Sequence, residues 1–251
     1  MRKLLNNVGA FRVALVAGLV FSSTLVFAAD AVQVITQKLK QNLPRAQIES
    51  VTQSQLPSLY EVALTTGEII HVSADGNYIV NGDLLAVSSE GLTNVTEERR
   101  SKDRIKTLAT LKDKDLVVFE SKGEEKGELL VFTDTSCGYC QKFHGEVTAL
   151  NDLGVTVKYV AWPRQGVTSP TGKTMANIWC ADDKQQAMTA AKSRQSVAEA
   201  NETCNSVPTI QAQVNLGRKL GVNGTPAIYL NDGRKVGGYR TAVDLAKELG
   251  I

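Results

Sequence analysis

The sequence predicts an α+β chain in two unlike halves, and three observations carry that expectation. Residues 31–92 hold one helical periodicity followed by five short apolar runs separated by turn dipeptides. Residues 94–114 open on a dense mixture of charges of both signs. From residue 116 onward, apolar strand-like runs alternate with helical periodicities, the order of a layered α/β unit. The expected division is a leader over 1–29, a front domain over 30–92, a linker helix over 93–113 and a catalytic domain over 114–251.

The first 29 residues have the three parts of a secretory signal: charge at Arg2, Lys3 and Arg12, apolar stretches at Val13–Val20 and Leu25–Phe27, and small residues at Ala28 and Ala29 for cleavage. Ser22, Ser23 and Thr24 interrupt the apolar run and no stop-transfer pattern follows, so a removed leader is expected rather than an anchor, with the mature chain exported. The leader also explains the apparent basicity. The whole chain has 28 Lys+Arg against 26 Asp+Glu, and removing three basic residues leaves 25 against 26. A near-neutral chain gives no electrostatic case for nucleic acid.

Val32, Ile35, Leu39 and Leu43 recur at helical spacing and stop at Pro44, which predicts an amphipathic helix over 31–43. Strand signals follow at Ile48–Val51, Leu59–Leu64, Glu68–Val72, Asn77–Val80 and Leu84–Val87. Thr66-Gly67, Asp75-Gly76 and Asn81-Gly82 punctuate them, so an antiparallel meander is expected. One helix and a meander in about 60 residues make a thin core, and such a unit gains stability by pairing with a copy of itself. His71 sits among apolar neighbours on a strand and is expected to be structural. Glu97 to Arg104 then runs into Ile105, Leu108 and Leu111, which reads as a largely solvated helix joining two domains, although a surface helix within one domain has the same composition. Asn94-Val95-Thr96 and Asn201-Glu202-Thr203 match the short glycosylation pattern.

In the second half, strands are expected at Leu116–Glu120 and Glu128–Phe132, joined by the charged turn Lys122–Gly127. Thr133-Asp134-Thr135-Ser136 then delivers Cys137-Gly138-Tyr139-Cys140 at the start of a helix carrying Phe143, Val147 and Leu150 on one face. A strand at Val155–Trp162, a mostly helical section over Ser169–Leu220, Gly224-Thr225-Pro226 before the strand Ala227–Leu230, a turn at Asn231-Asp232-Gly233, a strand at Lys235–Tyr239 and a closing helix over Thr241–Leu249 complete the order. That order is a thioredoxin fold with a helical insertion.

The four cysteines divide into two kinds. A cysteine that opens a helix faces unpaired backbone N–H groups and the positive end of the helix dipole, and both favour its thiolate, the reactive form. Cys137 is therefore the expected attacking thiol and Cys140 the thiol that resolves the mixed disulfide. An inert staple is the competing reading, but so short a loop gains little from closure. Cys180 and Cys204 enclose a much longer loop, and a bridge there would stabilise by about 3.5 kcal/mol in the chain-entropy model. That suits a structural bridge, and a second shuttling pair is the weaker alternative. Four-thiolate zinc wants two close pairs, so no metal is expected. Pro226 at a strand entrance calls for special geometry; a cis bond would leave the Thr225 backbone free to pair with an extended substrate beside Cys137.

The Phe132-Thr133-Asp134 lead-in, Cys137-Gly138-Tyr139-Cys140, Gly224-Thr225-Pro226, the Cys180/Cys204 pair and Asn94-Val95-Thr96 ahead of the linker together resemble the DsbC/DsbG family of periplasmic disulfide isomerases. The resemblance spans essentially the whole mature chain. It implies a V-shaped homodimer paired through cystatin-like front domains, with thioredoxin-like domains facing a shared cleft. It implies that Cys137 attacks, Cys140 resolves, and Pro226 is cis with Thr225 presenting its backbone to substrate beside Gly138 and Tyr139. The clients would be misoxidised or unfolded exported proteins, the membrane reductase DsbD would keep the pair reduced, and no cofactor beyond the dithiol is implied. Two positions depart from the pattern. Gln141 stands where a histidine is expected after the second cysteine. Val131 stands where thioredoxins often keep a buried carboxylate, so the acceptor of the Cys140 proton has no assigned residue; His144 is a candidate, with a structural role equally open to it. A sulfenic-acid reductase resembling DsbG and a holdase chaperone are the competing functions, and a monomeric oxidase fits poorly with a front domain.

Overall fold

The computed structural model describes residues 23–251 apart from Glu90 and Glu202, with side chains described from Asp30 onward. The leader expectation for 1–29 lies outside the described residues through position 22. The first helix, α1 (Ser23–Asn42), begins well before the expected Ala31, so the backbone shows no break at the small residues Ala28 and Ala29. Ile35 and Leu39 on its inner face are 0% and 4% exposed and pack on Tyr60, Val62, Leu64, Ile70 and Val72.

Those partners come from a four-stranded antiparallel sheet of β1 (Ile48–Gln53), β2 (Leu59–Leu64), β3 (Ile69–Ser73) and β4 (Ile79–Val80), in that order. The meander ends there. The expected fifth strand does not join it: β5 (Leu85–Ser88) instead pairs with β6 (Gly91–Asn94) as a separate hairpin, Leu85 opposite Asn94 and Ser88 opposite Gly91. Gly91 has φ +118, a left-handed backbone that glycine adopts without a Cβ penalty. His71 is buried beneath this junction and its Nε2 lies 3.2 Å from the Thr96 hydroxyl, which in turn accepts the Leu84 N–H. Thr96 is fully buried, and Asn94 caps α2 (Val95–Leu108) by accepting the Glu97 N–H, so Asn94-Val95-Thr96 acts here as a capping and packing element.

Helix α2 is less solvated than its charges imply. Leu108 is buried against the second half, the Arg104 guanidinium donates to the Gly233 carbonyl at 3.1 Å, and Ser101 is 7% exposed. A Cβ on Gly233 would stand 2.3 Å from the Ser101 carbonyl oxygen, so α2 lies directly on that turn.

The second half is a five-stranded sheet whose strands come from β7 (Val117–Phe119), β8 (Gly127–Thr133), β9 (Val155–Ala161), β10 (Ala227–Leu230) and β11 (Lys235–Gly237). Their spatial order is β11-β10-β8-β9-β7, with β8 and β9 parallel and every other pair antiparallel. The two strands that the charged turn at 122–127 joins are therefore not neighbours in the sheet. β9 inserts between β7 and β8, because β8 takes its parallel partner through a helical crossover. Central β8 is covered on both faces, with alternate residues facing opposite ways: Leu129 and Val131 enter one core, Leu130 and Phe132 the other.

The crossover is broken into α3 (Gly138–His144) and α4 (Val147–Asp152) at Gly145, the poorest helix former in that run. Phe143, Val147 and Leu150 are nonetheless all buried on one face. The insertion comprises α5 (Pro170–Cys180), α6 (Lys184–Lys192) and α7 (Val207–Lys219), and α8 (Ala242–Leu249) closes the chain. α7 approaches the sheet so closely that a Cβ on Gly217 would lie 2.4 Å from the Trp162 ring. Among the described residues no helix is long and apolar enough to cross a membrane.

Candidate active site

The site forms where β8 ends. Asp134, 1% exposed, organises the turn that follows: one carboxylate oxygen accepts the Ser136 N–H and hydroxyl, both at 2.7 Å, and the other accepts the Arg164 N–H at 2.9 Å and Nε at 3.1 Å. Burial alone would raise the Asp134 pKa, but the Arg164 and Ser136 hydrogen bonds outweigh it and hold the carboxyl below its ordinary range. The sequence contains Asp134 and Arg164, but their pairing is visible only once the loop after β9 folds back onto the turn. The local clue was Asp-x-Ser, a side chain that reaches its own backbone two residues on.

That turn sets Cys137 at the N-cap of α3, with extended backbone (φ −81, ψ 119), its sulfur accepting the Cys140 N–H at 3.4 Å. Across from it the Thr225–Pro226 bond is cis, and the Cys137 thiol donates to the Thr225 carbonyl at 3.2 Å. Burial disfavours a Cys137 thiolate, yet the nearby Thr225 hydroxyl, the Cys140 groups and the Arg164 charge together pull its pKa below the ordinary cysteine value. Among the described residues the buried Thr225 hydroxyl meets no group in hydrogen-bond geometry, so its effect on Cys137 is one of proximity. The bond to the Thr225 carbonyl needs the thiol proton and is lost on ionisation, whereas the Cys140 N–H favours the thiolate.

Cys140 is 0% exposed against 4% for Cys137. Burial pushes its pKa up, and the Lys192 charge, the Asp134 backbone, and the Thr225 and Thr133 hydroxyls offset this only in part. Of the other expected site residues, Tyr139 is 65% exposed beside the pair, and the Gly138 Cα has open space around it. Cys180 and Cys204 are joined by a disulfide with Cα atoms 5.9 Å apart, tying the end of α5 to the segment before α7. Gln141 is engaged in local support: its side-chain amide donates to the Thr135 carbonyl at 3.1 Å, and Arg194 donates to its carbonyl oxygen.

His144 is engaged away from the dithiol. Its ring nitrogens meet the Tyr159 hydroxyl at 2.9 Å and the Thr189 hydroxyl at 3.1 Å. Burial first, and the Lys192 charge second, lower its pKa to about 4, so the ring is neutral at physiological pH. The residue that the sequence reading missed is Lys192, at the end of α6, 5% exposed and donating to the Thr133 hydroxyl at 2.6 Å and the Asp134 carbonyl at 3.0 Å. No group of His, Cys, Asp and Glu among the described residues is arranged to hold a metal.

A β8–turn–α3 unit with CxxC at the helix start, facing a cis-proline loop, defines a thiol–disulfide oxidoreductase of the thioredoxin fold. Family models agree in both halves: a thioredoxin-like domain matches residues 112–250 and a disulfide bond isomerase N-terminal domain matches residues 26–97. The chain is 38% identical over 189 residues to the thiol:disulfide interchange protein DsbC of Escherichia coli, spanning 75% of this chain and 76% of that protein. It is 35% identical over 227 residues to the DsbC of Pasteurella multocida, spanning 90% and 93%. Among solved structures, a linker-deletion mutant of Proteus mirabilis ScsC shares the fold at TM-score 0.51 and 20% identity, covering 62% of this chain and 85% of that one. The chain belongs to the DsbC family of thiol:disulfide interchange proteins.

Proposed function

We propose that this chain is a homodimeric disulfide isomerase acting on misoxidised exported proteins, with Cys137 as the attacking thiol and Cys140 as the resolving one. The observation that carries it is the asymmetry of the pair: Cys137 caps α3 with a lowered pKa, while Cys140 is fully buried with a raised one. In the first step the Cys137 thiolate attacks one sulfur of a wrong disulfide, forming a mixed disulfide and releasing a client thiolate. That thiolate can re-pair within the client and free Cys137, which is isomerisation with no net electron transfer. Alternatively Cys140 displaces the client cysteine, leaving the client reduced and the enzyme pair oxidised, and an external dithiol such as the membrane reductase DsbD restores it. Thr225 is proposed to offer its backbone to an extended client strand beside Pro226, with Gly138 and Tyr139 forming the rim and Cys180–Cys204 serving as the structural bridge.

The division into a 1–29 leader, 30–92 dimerisation domain, 93–113 linker and 114–251 catalytic domain belongs to the same proposal, as does a periplasmic site of action. Dimerisation is supported by the front unit, which exposes Tyr78 (72%), Val87 (82%) and Leu92 (71%), and whose β4 is an unpaired sheet edge of two exposed apolar residues. A second copy of the same edge would cover it.

The test is reactivation of a scrambled multi-disulfide protein by the mature chain, by Cys137→Ala and by a fragment beginning near Lys114. Reactivation that needs Cys137 and is much weaker in the fragment supports a dimer-dependent isomerase. Equal activity in the fragment would remove the role assigned to the front domain. Activity that survives Cys137→Ala would mark a holdase instead, and reduction of sulfenylated cysteines without reshuffling would mark a specialised reductase.

A further inference from the structure

Among the described residues of the second half, Lys192 is the one deeply buried cation, and the exchange chemistry above has no use for it. It is 5% exposed and its Nζ makes two hydrogen bonds to neutral oxygens, Thr133 Oγ1 and the Asp134 carbonyl. Among the described residues it forms no ion pair, since the Asp134 carboxylate is already held by Arg164. An ammonium left in that state costs several kcal/mol unless an anion forms beside it. Facing it are Cys140 and His144 from α3, Tyr159 from β9 with its ring 5.5 Å away, Asp134 and Cys137 from the turn, and Arg164 from the loop after β9. Of these, Cys140 is the buried group that must lose a proton during the reaction. Thr133 holds the ammonium in place: its oxygen accepts from Lys192 at 2.6 Å, at the end of the strand that leads into the cysteine turn.

We propose that Lys192, held as an ammonium by the Thr133 hydroxyl and the Asp134 carbonyl, is the positioning residue that stabilises the Cys140 thiolate when the mixed disulfide is resolved. This rests on the reading of Cys137 and Cys140 as an exchanging pair. In the mixed disulfide the Cys140 thiol gives its proton to water, and the Lys192 ammonium stabilises the thiolate left behind. The Cys140 thiolate attacks Cys137 Sγ, the bond from Cys137 to the client sulfur breaks, and the Cys137–Cys140 disulfide forms. The client sulfur leaves as a thiolate and is protonated by water, so the client cysteine is reduced and the enzyme pair oxidised. Burial, only partly offset by the cysteine and Asp134 charges, brings Lys192 down to about 8, so the ammonium is the major form at neutral pH. The lysine thus supplies a buried charge near Cys140 where Val131 supplies none.

The test loads Cys137 with thionitrobenzoate, a coloured aryl thiol, and follows its release by Cys140 across pH. Lys192→Met, which keeps length and shape, is expected to slow release about tenfold at neutral pH and to move its midpoint upward by about one pH unit. Thr133→Val, which removes one of the two hydrogen bonds that hold the ammonium, is expected to shift the profile the same way. Release in both variants within twofold of the unaltered chain, with the same midpoint, would overturn the proposal. Should Lys192→Met not fold, the unaltered chain decides by NMR titration of the Lys192 ε-methylene in the dithiol and disulfide forms. Different titration midpoints in the two forms support the coupling, and identical ones overturn it. Failure of the unaltered chain to release the aryl thiol at any pH would count against the exchange reading, while the lysine titration would still report on Lys192.

Discussion

The two cysteine pairs share one domain and one chemistry, yet their surroundings push them in opposite directions. Cys180 and Cys204 are 24 positions apart and join segments that have no other covalent tie, so closing them removes a large loop from the unfolded chain. Cys137 and Cys140 are three apart, and closing them constrains almost nothing. Around the close pair the fold instead places groups that alter ionisation: an N-cap position, the Thr225 carbonyl and hydroxyl, the Asp134–Arg164 pair and a buried lysine. Sequence separation decides which pair can stabilise, and local electrostatics decide which can react.

The largest effects should come from breaking the reactive pair. Cys137→Ala is expected to abolish reshuffling of a scrambled substrate while lowering the urea midpoint only modestly, because it removes a single sulfur atom from a buried position. Cys140→Ala should still attack but accumulate mixed disulfides with clients, detectable as higher-mass species on non-reducing gels. Reshuffling that persists in Cys137→Ala would break the comparison at its root. The bridge should show the inverse pattern. Cys180→Ala with Cys204→Ala is expected to lower unfolding free energy by about 3.5 kcal/mol while exchange persists below the new melting temperature. Urea titration beside a thiol-exchange assay checks both halves, and loss of exchange in a still-folded double variant would show that the bridge also shapes the site.

These two outcomes concern features legible in the sequence, and the reason is that both are local or covalent. CxxC at a strand–helix junction, Thr-Pro before a strand and a widely spaced cysteine pair each carry their chemistry within a few residues. What was not legible depends on which segments meet. Leu116–Glu120 reads as a strand, but nothing in it says that Val117 pairs with Tyr159 rather than with its neighbour in sequence. Leu84–Val87 reads as a fifth meander strand, and only the Gly91 backbone turns it into a separate hairpin with Leu92–Asn94. Lys192 looks like an ordinary basic residue in the last turn of an amphipathic helix, a place cations favour on the surface. Its burial follows from α6 packing against α3 and the end of β8, which no pattern within residues 184–192 announces.

The Asp134–Arg164 pair sharpens the comparison through pH. The folded Asp134 pKa lies below its unfolded value, so the carboxylate contributes stability that is fully present above about pH 4. That contribution is lost as pH falls from the unfolded value through the lower folded one. Asp134→Asn should therefore cost about 2 kcal/mol at neutral pH, the cost of weakening a buried hydrogen-bonded charge, and flatten the acid limb of stability. It should also slow attack by Cys137, since the turn that aims α3 would loosen. Urea midpoints measured at neutral and acid pH, next to the rate of Cys137 alkylation, check this. An unchanged alkylation rate with the expected stability loss would confine Asp134 to scaffolding.

The smallest effect is expected at His144, the residue whose type most suggests proton chemistry. Its pKa is lowered to about 4 because burial and the Lys192 charge both disfavour imidazolium. With an unfolded value near 6.5, the folded state binds fewer protons than the unfolded state between these values, so stability falls as pH drops through that interval. Across physiological pH the ring remains neutral, bridging Tyr159 and Thr189. His144→Gln, which can keep one of those bonds, should leave the pH profile of Cys140-dependent release unchanged and remove part of the stability loss on acidification. A shifted release profile in a stable His144→Gln variant would return the histidine to the proton path and weaken the case for Lys192. An unchanged profile beside a shifted one in Lys192→Met would show that this site tunes a thiol with a buried amine while an adjacent imidazole, the more usual proton carrier, only packs.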